Sequence, residues 1–144
     1  MTTEHPPKLI FYVAPDGRDT WTGKLPAISP DGTDGPFGTL ERARDALRSL
    51  KQRGPLPEGG VTVSLRGGVY PITRSFHLTA QDSGTEQTPV IYRPYQGETV
   101  RLIGGRILSD CEPAGGPEIL QRLSPEASQH VVRYDIEAHG INDF

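Results

Sequence analysis

The chain has 144 residues, which suits one domain and leaves no room for two of ordinary size. Its 17 glycines and 14 prolines exclude a helical bundle or coiled coil and predict short elements joined by tight turns, hence β structure. The net charge of −3 comes from charges of both signs scattered along the chain, so no basic footprint for nucleic acid exists, and no apolar run reaches the ~18 residues of a membrane-spanning helix.

Residues 1–8 read as a flexible tail, and the rest, 9–144, as one folded unit. Met1 to Pro7 has neither a basic segment nor an apolar one, so no secretory signal is expected in these residues. Leu9-Ile10-Phe11-Tyr12-Val13 is an apolar run of strand length, stopped by the turn signal Pro15-Asp16-Gly17. A long polar loop over 14–38 follows, and Trp21, the only tryptophan, is its expected anchor.

Leu40, Ala43, Ala46, Leu47 and Leu50 then recur at the spacing of one helical face, with Thr39 placed to cap the start and Gly54-Pro55 to stop the end. Arg42, Arg44, Arg48, Lys51 and Arg53 on the other side read as a solvated face. Such a one-sided helix is a natural lid over the open end of another structure.

Beyond the helix the period changes to two. Val61 to Leu65 alternates cleanly, Gly67-Gly68 turns the chain, and short β runs are expected at 69–70, 75–78, 89–92, 100–103 and 106–108. A looser stretch with a helical turn at 118–123 precedes a last strand at 131–136. Short strands with small-residue corners fit either stacked solenoid coils or a small sandwich. The order strand, loop, helix and strands favours the capped solenoid, whose terminal coil must be covered.

Motifs that carry chemistry are few. Asp82-Ser83-Gly84-Thr85 has the form of an aspartic-protease loop, in which two carboxylates from a homodimer would share a proton. The competing reading is a turn capped by Asp82 and Ser83, with Gly84 at positive φ. Asp16, Asp19, Asp31 and Asp34 on the long loop suit calcium by residue type, without the alternating acidic pattern of a calcium loop; no other cofactor is indicated. His5, His77, His130 and His139 sit singly, and Cys111 lies between Asp110 and Glu112, which raise rather than lower a thiol pKa. No pair of carboxylates can be given the separation that glycoside hydrolysis needs, and no catalytic residue is assigned. Trp21, Tyr70, Tyr92 and Tyr95 are the candidate faces for stacking on sugars.

Read together, Phe11-Tyr12-Val13-Ala14-Pro15-Asp16-Gly17, Trp21-Thr22-Gly23, Gly35-Pro36-Phe37-Gly38-Thr39-Leu40 and Ala43-Arg44-Asp45-Ala46 resemble the opening of bacterial right-handed parallel β-helix proteins of the pectate-lyase-like superfamily. Leu65-Arg66-Gly67-Gly68-Val69-Tyr70, Asp82-Ser83-Gly84-Thr85, Pro89-Val90-Ile91-Tyr92 and Ile103-Gly104-Gly105 continue the pattern, which is most similar to β-helix glycoside hydrolases of the family-141 type.

The resemblance implies a mostly β fold: an N-terminal strand and amphipathic helix capping the first coils of a β-helix that acts on polysaccharide. It implies a periplasmic or secreted setting, and it makes Asp82-Ser83-Gly84-Thr85 a coil-corner turn. Proteins of this type carry their catalytic acids in later coils, so the expectation is the N-terminal part of a longer enzyme, inactive alone. Its partners would be a polysaccharide or oligosaccharide and the remaining coils of the parent chain. An open end would also favour self-association, and order should weaken beyond residue 109. The alternative from another class is a non-enzymatic carbohydrate-binding β module.

Overall fold

The computed structural model describes residues 9–142. The tail expected at 1–8 lies outside them. The chain divides into two compact units, with the boundary between Gly105 and Arg106.

The first unit is built on parallel strands. β1 (Leu9–Val13), β2 (Val61–Leu65) and β4 (Val90–Pro94) form one sheet in the order β1-β2-β4, while β3 (Gly68–Pro71) pairs with β5 (Val100–Ile103) in a second. Leu9, Val61 and Val90 stand in one rung, and Val13, Leu65 and Pro94 in another. The β2–β3 pair is thus followed by a second pair, β4–β5, that lies alongside it in the same direction, strand against strand.

Helix α1 (Leu40–Arg53) covers the inner side. Its N-cap is Thr39, whose side chain accepts a hydrogen bond from Arg42 N, and it ends at Gly54 with φ at 155°. Leu40, Ala43 and Leu47 are buried in one cluster with Phe11, Val13, Phe37, Val61, Val63, Leu65 and Tyr70. The helix therefore forms where the apolar period places it, and its burial against the sheet supplies the stability that a 14-residue helix lacks alone. Its cations depart from expectation. Rather than facing water, Arg42 lies over the Phe37 ring and donates to Asp19 O, Arg44 donates to His77 O, Arg48 pairs with Asp82, and Lys51 donates to the carbonyls of Gln81 and Ser83. These bonds tie the helix to loops on both sides of it.

The long loop also does more than connect. Tyr12 N donates to Gly23 O, Phe37 N to Tyr12 O, and Ala14 N to Phe37 O, so at Tyr12 and Ala14 loop residues match the backbone on the edge of β1 away from β2. Phe37 is 1% exposed and packs on Phe11 with ring centroids 5.6 Å apart. Gly23 sits at φ 69°, and a Cβ there would run into the Phe37 ring. Trp21 is buried as the loop's anchor.

Three expected strands differ. Residues 75–78 are not a strand and pair with none among the described residues: Phe76 lies edge-on to Tyr92 at 6.0 Å and beneath Arg44, while Leu78 is exposed. Residues 106–108 are irregular, with Ile107 exposed.

In the second unit the strand expected at 131–136 shrinks to β7 (Val132–Arg133), paired antiparallel with β6 (Glu112–Pro113). The helical turn expected at 118–123 is α2 (Pro117–Leu120), and a further turn, α3 (Pro125–Ser128), is capped by the Ser124 hydroxyl. This unit buries little apolar surface; Ala114 is its buried hydrophobic residue.

Candidate functional site

Strand alternation gives the β1-β2-β4 sheet two chemically different faces. Leu9, Phe11, Val13, Val61, Val63, Leu65, Val90 and Tyr92 belong to the apolar core beneath α1 or pack against it. The other face carries Ile10 and Tyr12 from β1, Thr62 and Ser64 from β2, and Ile91 and Arg93 from β4. The register aligns these as two rungs, Ile10–Thr62–Ile91 and Tyr12–Ser64–Arg93. Because the central strand supplies only small hydroxyl residues, the flanking side chains stand higher and leave a trough of about 510 Å³.

Tyr95, just past β4, completes the trough. Its ring meets that of Tyr12 edge to face at 5.9 Å, and the Arg66 guanidinium covers it at 4.9 Å. Arg66 is held by Glu98 at 3.0 Å and by the carbonyl of Pro26, while Glu98 also accepts from Gly67 N. The Glu98 carboxyl is accordingly held below its ordinary pKa, first by the Arg66 hydrogen bond and then by Gly67 N, and the Arg66 pKa is raised by Glu98.

Two features of this face are chemically unbalanced. Arg93 is exposed and enters none of the ion pairs among the described residues. The Thr62 hydroxyl is buried without a hydrogen-bond partner among the described residues, which is unfavourable for a polar group unless something completes it.

The residues singled out from sequence are dispersed. Trp21 and Tyr70 are buried, so neither ring is open to a sugar. Tyr70 is a corner pin: its hydroxyl donates toward the carbonyls of Arg66 and Val13, and burial pushes its pKa up to about 12. Tyr92 is on the core side of β4, its hydroxyl buried without a partner, so it does not share a face with Tyr95. Of the four aromatic candidates, only Tyr95 lines the trough. Tyr12, Thr62, Ser64 and Arg93 were missed, because only pairing across three strands brings them together; the alternation inside Val61-Thr62-Val63-Ser64-Leu65 was the available signal.

The surroundings of Asp82 are those of a structural ion pair rather than of an acid shared between subunits. Its carboxylate is 4% exposed and receives two hydrogen bonds of 2.7 Å from Arg48, plus one from Thr79 N. Arg48 holds the carboxyl down at about 2, so it is ionised at neutral pH. Gly84 is not at positive φ. It is glycine because a Cβ would come within 2.5 Å of Val90 N and 2.6 Å of Thr88 O.

The loop carboxylates are likewise occupied by their own surroundings. Asp19 accepts from Gly38 N, Thr39 N and the Thr39 hydroxyl, and Asp34 from Thr22 and Gly35. Asp31 accepts from Ser29 and Thr33, which hold its carboxyl down at about 2. Among the described residues no three His, Cys, Asp or Glu side chains converge as a metal site would require. Cys111, His77 and His130 are exposed, and His5 lies outside the described residues. No helix among the described residues is long and apolar enough to cross a membrane.

No protein-family model matches the chain. It is 36% identical over 77 residues to pectate lyase PEL9 of Emericella nidulans, an alignment covering 54% of this chain and 18% of that protein. It is 33% identical over 103 residues to the uncharacterized protein YwoF of Bacillus subtilis, covering 72% of this chain and 20% of the other. Among solved structures it is similar to a glycoside hydrolase, with a TM-score of 0.60 and 27% identity over 74% of this chain and 17% of that one. The chain is related, over part of its length, to a pectate lyase and to a glycoside hydrolase. It spans about a fifth of the length of these relatives.

Proposed function

We propose that this chain forms the first coils of a right-handed parallel β-helix in a polysaccharide-degrading enzyme of the family-141 glycoside hydrolase type. In this reading the 14–38 loop and α1 cap the helix end at β1, and the chain does not itself break glycosidic bonds. The observation that carries the reading is the pairing β1-β2-β4 and β3-β5, all parallel, with each new strand laid beside its predecessor. A sandwich of hairpins would show antiparallel neighbours instead. The similarity to PEL9 and to a glycoside hydrolase supports the carbohydrate side of the reading. The buried Arg48–Asp82 pair argues against the aspartic-protease alternative.

The native gene product tests this directly. Its intact mass in the cells of origin is expected to exceed 15.7 kDa several-fold, and the product is expected to depolymerise a plant or microbial polysaccharide on which the 144-residue chain has no effect. A native product of 15.7 kDa overturns the enzyme reading and leaves a carbohydrate-binding module as its successor.

A further inference from the structure

We propose that the peptide bond between Arg106 and Ile107 is a processing site for a serine protease with an acidic specificity pocket, and that its cleavage releases the parallel-strand unit as a folded product. The inference is independent of the carbohydrate reading above and adds a modification site to the chain.

Three observations meet at this bond. The first is its place in the chain: the boundary between the two compact units falls between Gly105 and Arg106, one residue before it. The second is the backbone. A protease holds its substrate extended, so the chain must give up its own hydrogen bonds on both sides of the cut. Residues 104–111 lie outside every helix and strand and make no backbone hydrogen bond among the described residues. Gly104 and Gly105 have open space where a side chain would stand. No unfolding step has to precede docking here.

The third observation is the side chains. Arg106 and Ile107 are both exposed, Ile107 by 63%. The Arg106 guanidinium donates to the His139 carbonyl, a neutral acceptor, and enters none of the ion pairs among the described residues. A carboxylate at the base of a specificity pocket makes the stronger, charge-assisted pair and draws it away. Hydrolysis adds one water across the amide, leaving a carboxylate on Arg106 and an ammonium on Ile107, with no other reactant.

Basic residues of the first unit are placed differently. Arg74 also lies outside helices and strands, but Ile72 before it is bonded through its N–H to Ile103 O, and the carbonyl of His77 after it receives Arg44. Lys24 follows Gly23, which is bonded through both its N–H and its C=O. Cleavage at either position requires local opening first.

The test is limited trypsin digestion of the 144-residue chain, followed by intact mass and by Trp21 fluorescence. The first cut is expected after Arg106, and the fragment ending there should persist with Trp21 still buried. Arg106→Gln should slow that cut at least about tenfold, because the pocket carboxylate loses its partner, while Arg106→Lys should keep it. Urea too dilute to unfold the chain should leave the rate at Arg106 unchanged, whereas cuts at Arg74 or Lys24 should quicken as opening becomes more frequent.

A first cut within the first unit, or at Arg122 or Arg133 in the second, overturns the site, as does an Arg106→Gln rate equal to that of the parent. Destruction of the fragment as fast as it forms overturns the folded product. Cleavage at Arg106 that quickens with urea in step with Arg74 shows a closed segment and overturns the inference as a whole. None of these outcomes bears on the mass and activity of the native product, on which the proposed function rests.

Discussion

The two sides of the β1-β2-β4 sheet meet opposite fates. At β1 the outward backbone groups are matched by Gly23 and Phe37, and the apolar interior is sealed by Phe37 and by Leu40, Ala43 and Leu47 of α1. At β4 and β5 no further strand pairs among the described residues, and residues on the inner side are only partly covered. Leu102 stands on the same face of its sheet as buried Tyr70, directly opposite it in register, yet is 55% exposed. Both edges have the same backbone chemistry, so sequence in the loop and helix, not sheet propensity, decides which is closed. An edge becomes inert when it acquires both partners for its N–H and C=O groups and a cover for its side chains.

The largest way to break this asymmetry is to unseat the cover. Leu47 is fully buried, and Leu47→Ala should destabilise the first unit by about 2–5 kcal/mol, because the helix is held by its apolar stripe. Denaturant unfolding followed by Trp21 fluorescence measures this. A loss below about 1 kcal/mol would show that α1 is not what seals the β1 side.

The next effect lies in the ties that fasten the helix. Asp82→Asn removes the carboxylate that receives Arg48 and should cost about 1–3 kcal/mol at neutral pH. The pH dependence has a definite sign. In the unfolded chain the Asp82 carboxyl has its ordinary value of 3.8, while in the folded chain Arg48 holds it at about 2. Its contribution is therefore complete above about pH 5 and is lost as the pH falls through 3.8 toward 2, where the unfolded state takes up the proton first. Asp31, Asp34 and Glu98 are lowered as well and act in the same direction. Acid titration of the melting temperature should show the wild-type decline to be steeper than that of Asp82→Asn. Parallel curves would remove Asp82 from the account.

These ties also mark what the sequence could and could not reveal. The helix was legible from Thr39 to Gly54 because capping and apolar period are local signals. The strands at 9–13, 61–65 and 100–103, and the one expected at 89–92 and found at 90–94, were legible because short apolar or alternating runs and flanking turn residues are local too. The closure of β1 by Gly23 and Phe37 was not, since it depends on where a 25-residue loop returns. Nor was the use of Arg42, Arg44, Arg48 and Lys51, whose acceptors are mainly backbone carbonyls that have no signature in sequence. Residues 75–78 misled because a single packed aromatic, Phe76, beside an exposed Leu78 looks the same in sequence as a strand. The trough was partly visible: Tyr95 stood out as an aromatic residue, whereas Tyr12, Thr62, Ser64 and Arg93 form a face only through register across strands about thirty to fifty residues apart.

A smaller effect of opposite sign is expected within the sheet. Thr62→Val keeps the shape and deletes a hydroxyl that is buried without a partner, so it should stabilise the chain by about 1 kcal/mol. β-branching is retained, so strand preference is unchanged. A loss of stability on this change would mean that an ordered water already satisfies Thr62, and the trough would then be a hydrated site rather than an incomplete one.

The smallest expected effect sharpens the comparison most. Leu102→Ala removes the same atoms as Leu47→Ala, yet Leu102 is 55% exposed where Leu47 is 0%. In the 144-residue chain its cost should be below about 0.5 kcal/mol, as for a surface substitution, because little area returns to water and no cavity forms. If further coils stack on β4 and β5 in the native product, Leu102 is buried there, and the same substitution should cost about 2 kcal/mol or more in that longer molecule. Measuring Leu102→Ala in both settings therefore separates an edge that is open by design of the fold from one that is open only until its next coil arrives. Equal and small costs in the two settings would mean that the β4–β5 side faces water in the native protein as well, and the stacked-coil reading would lose its main structural consequence.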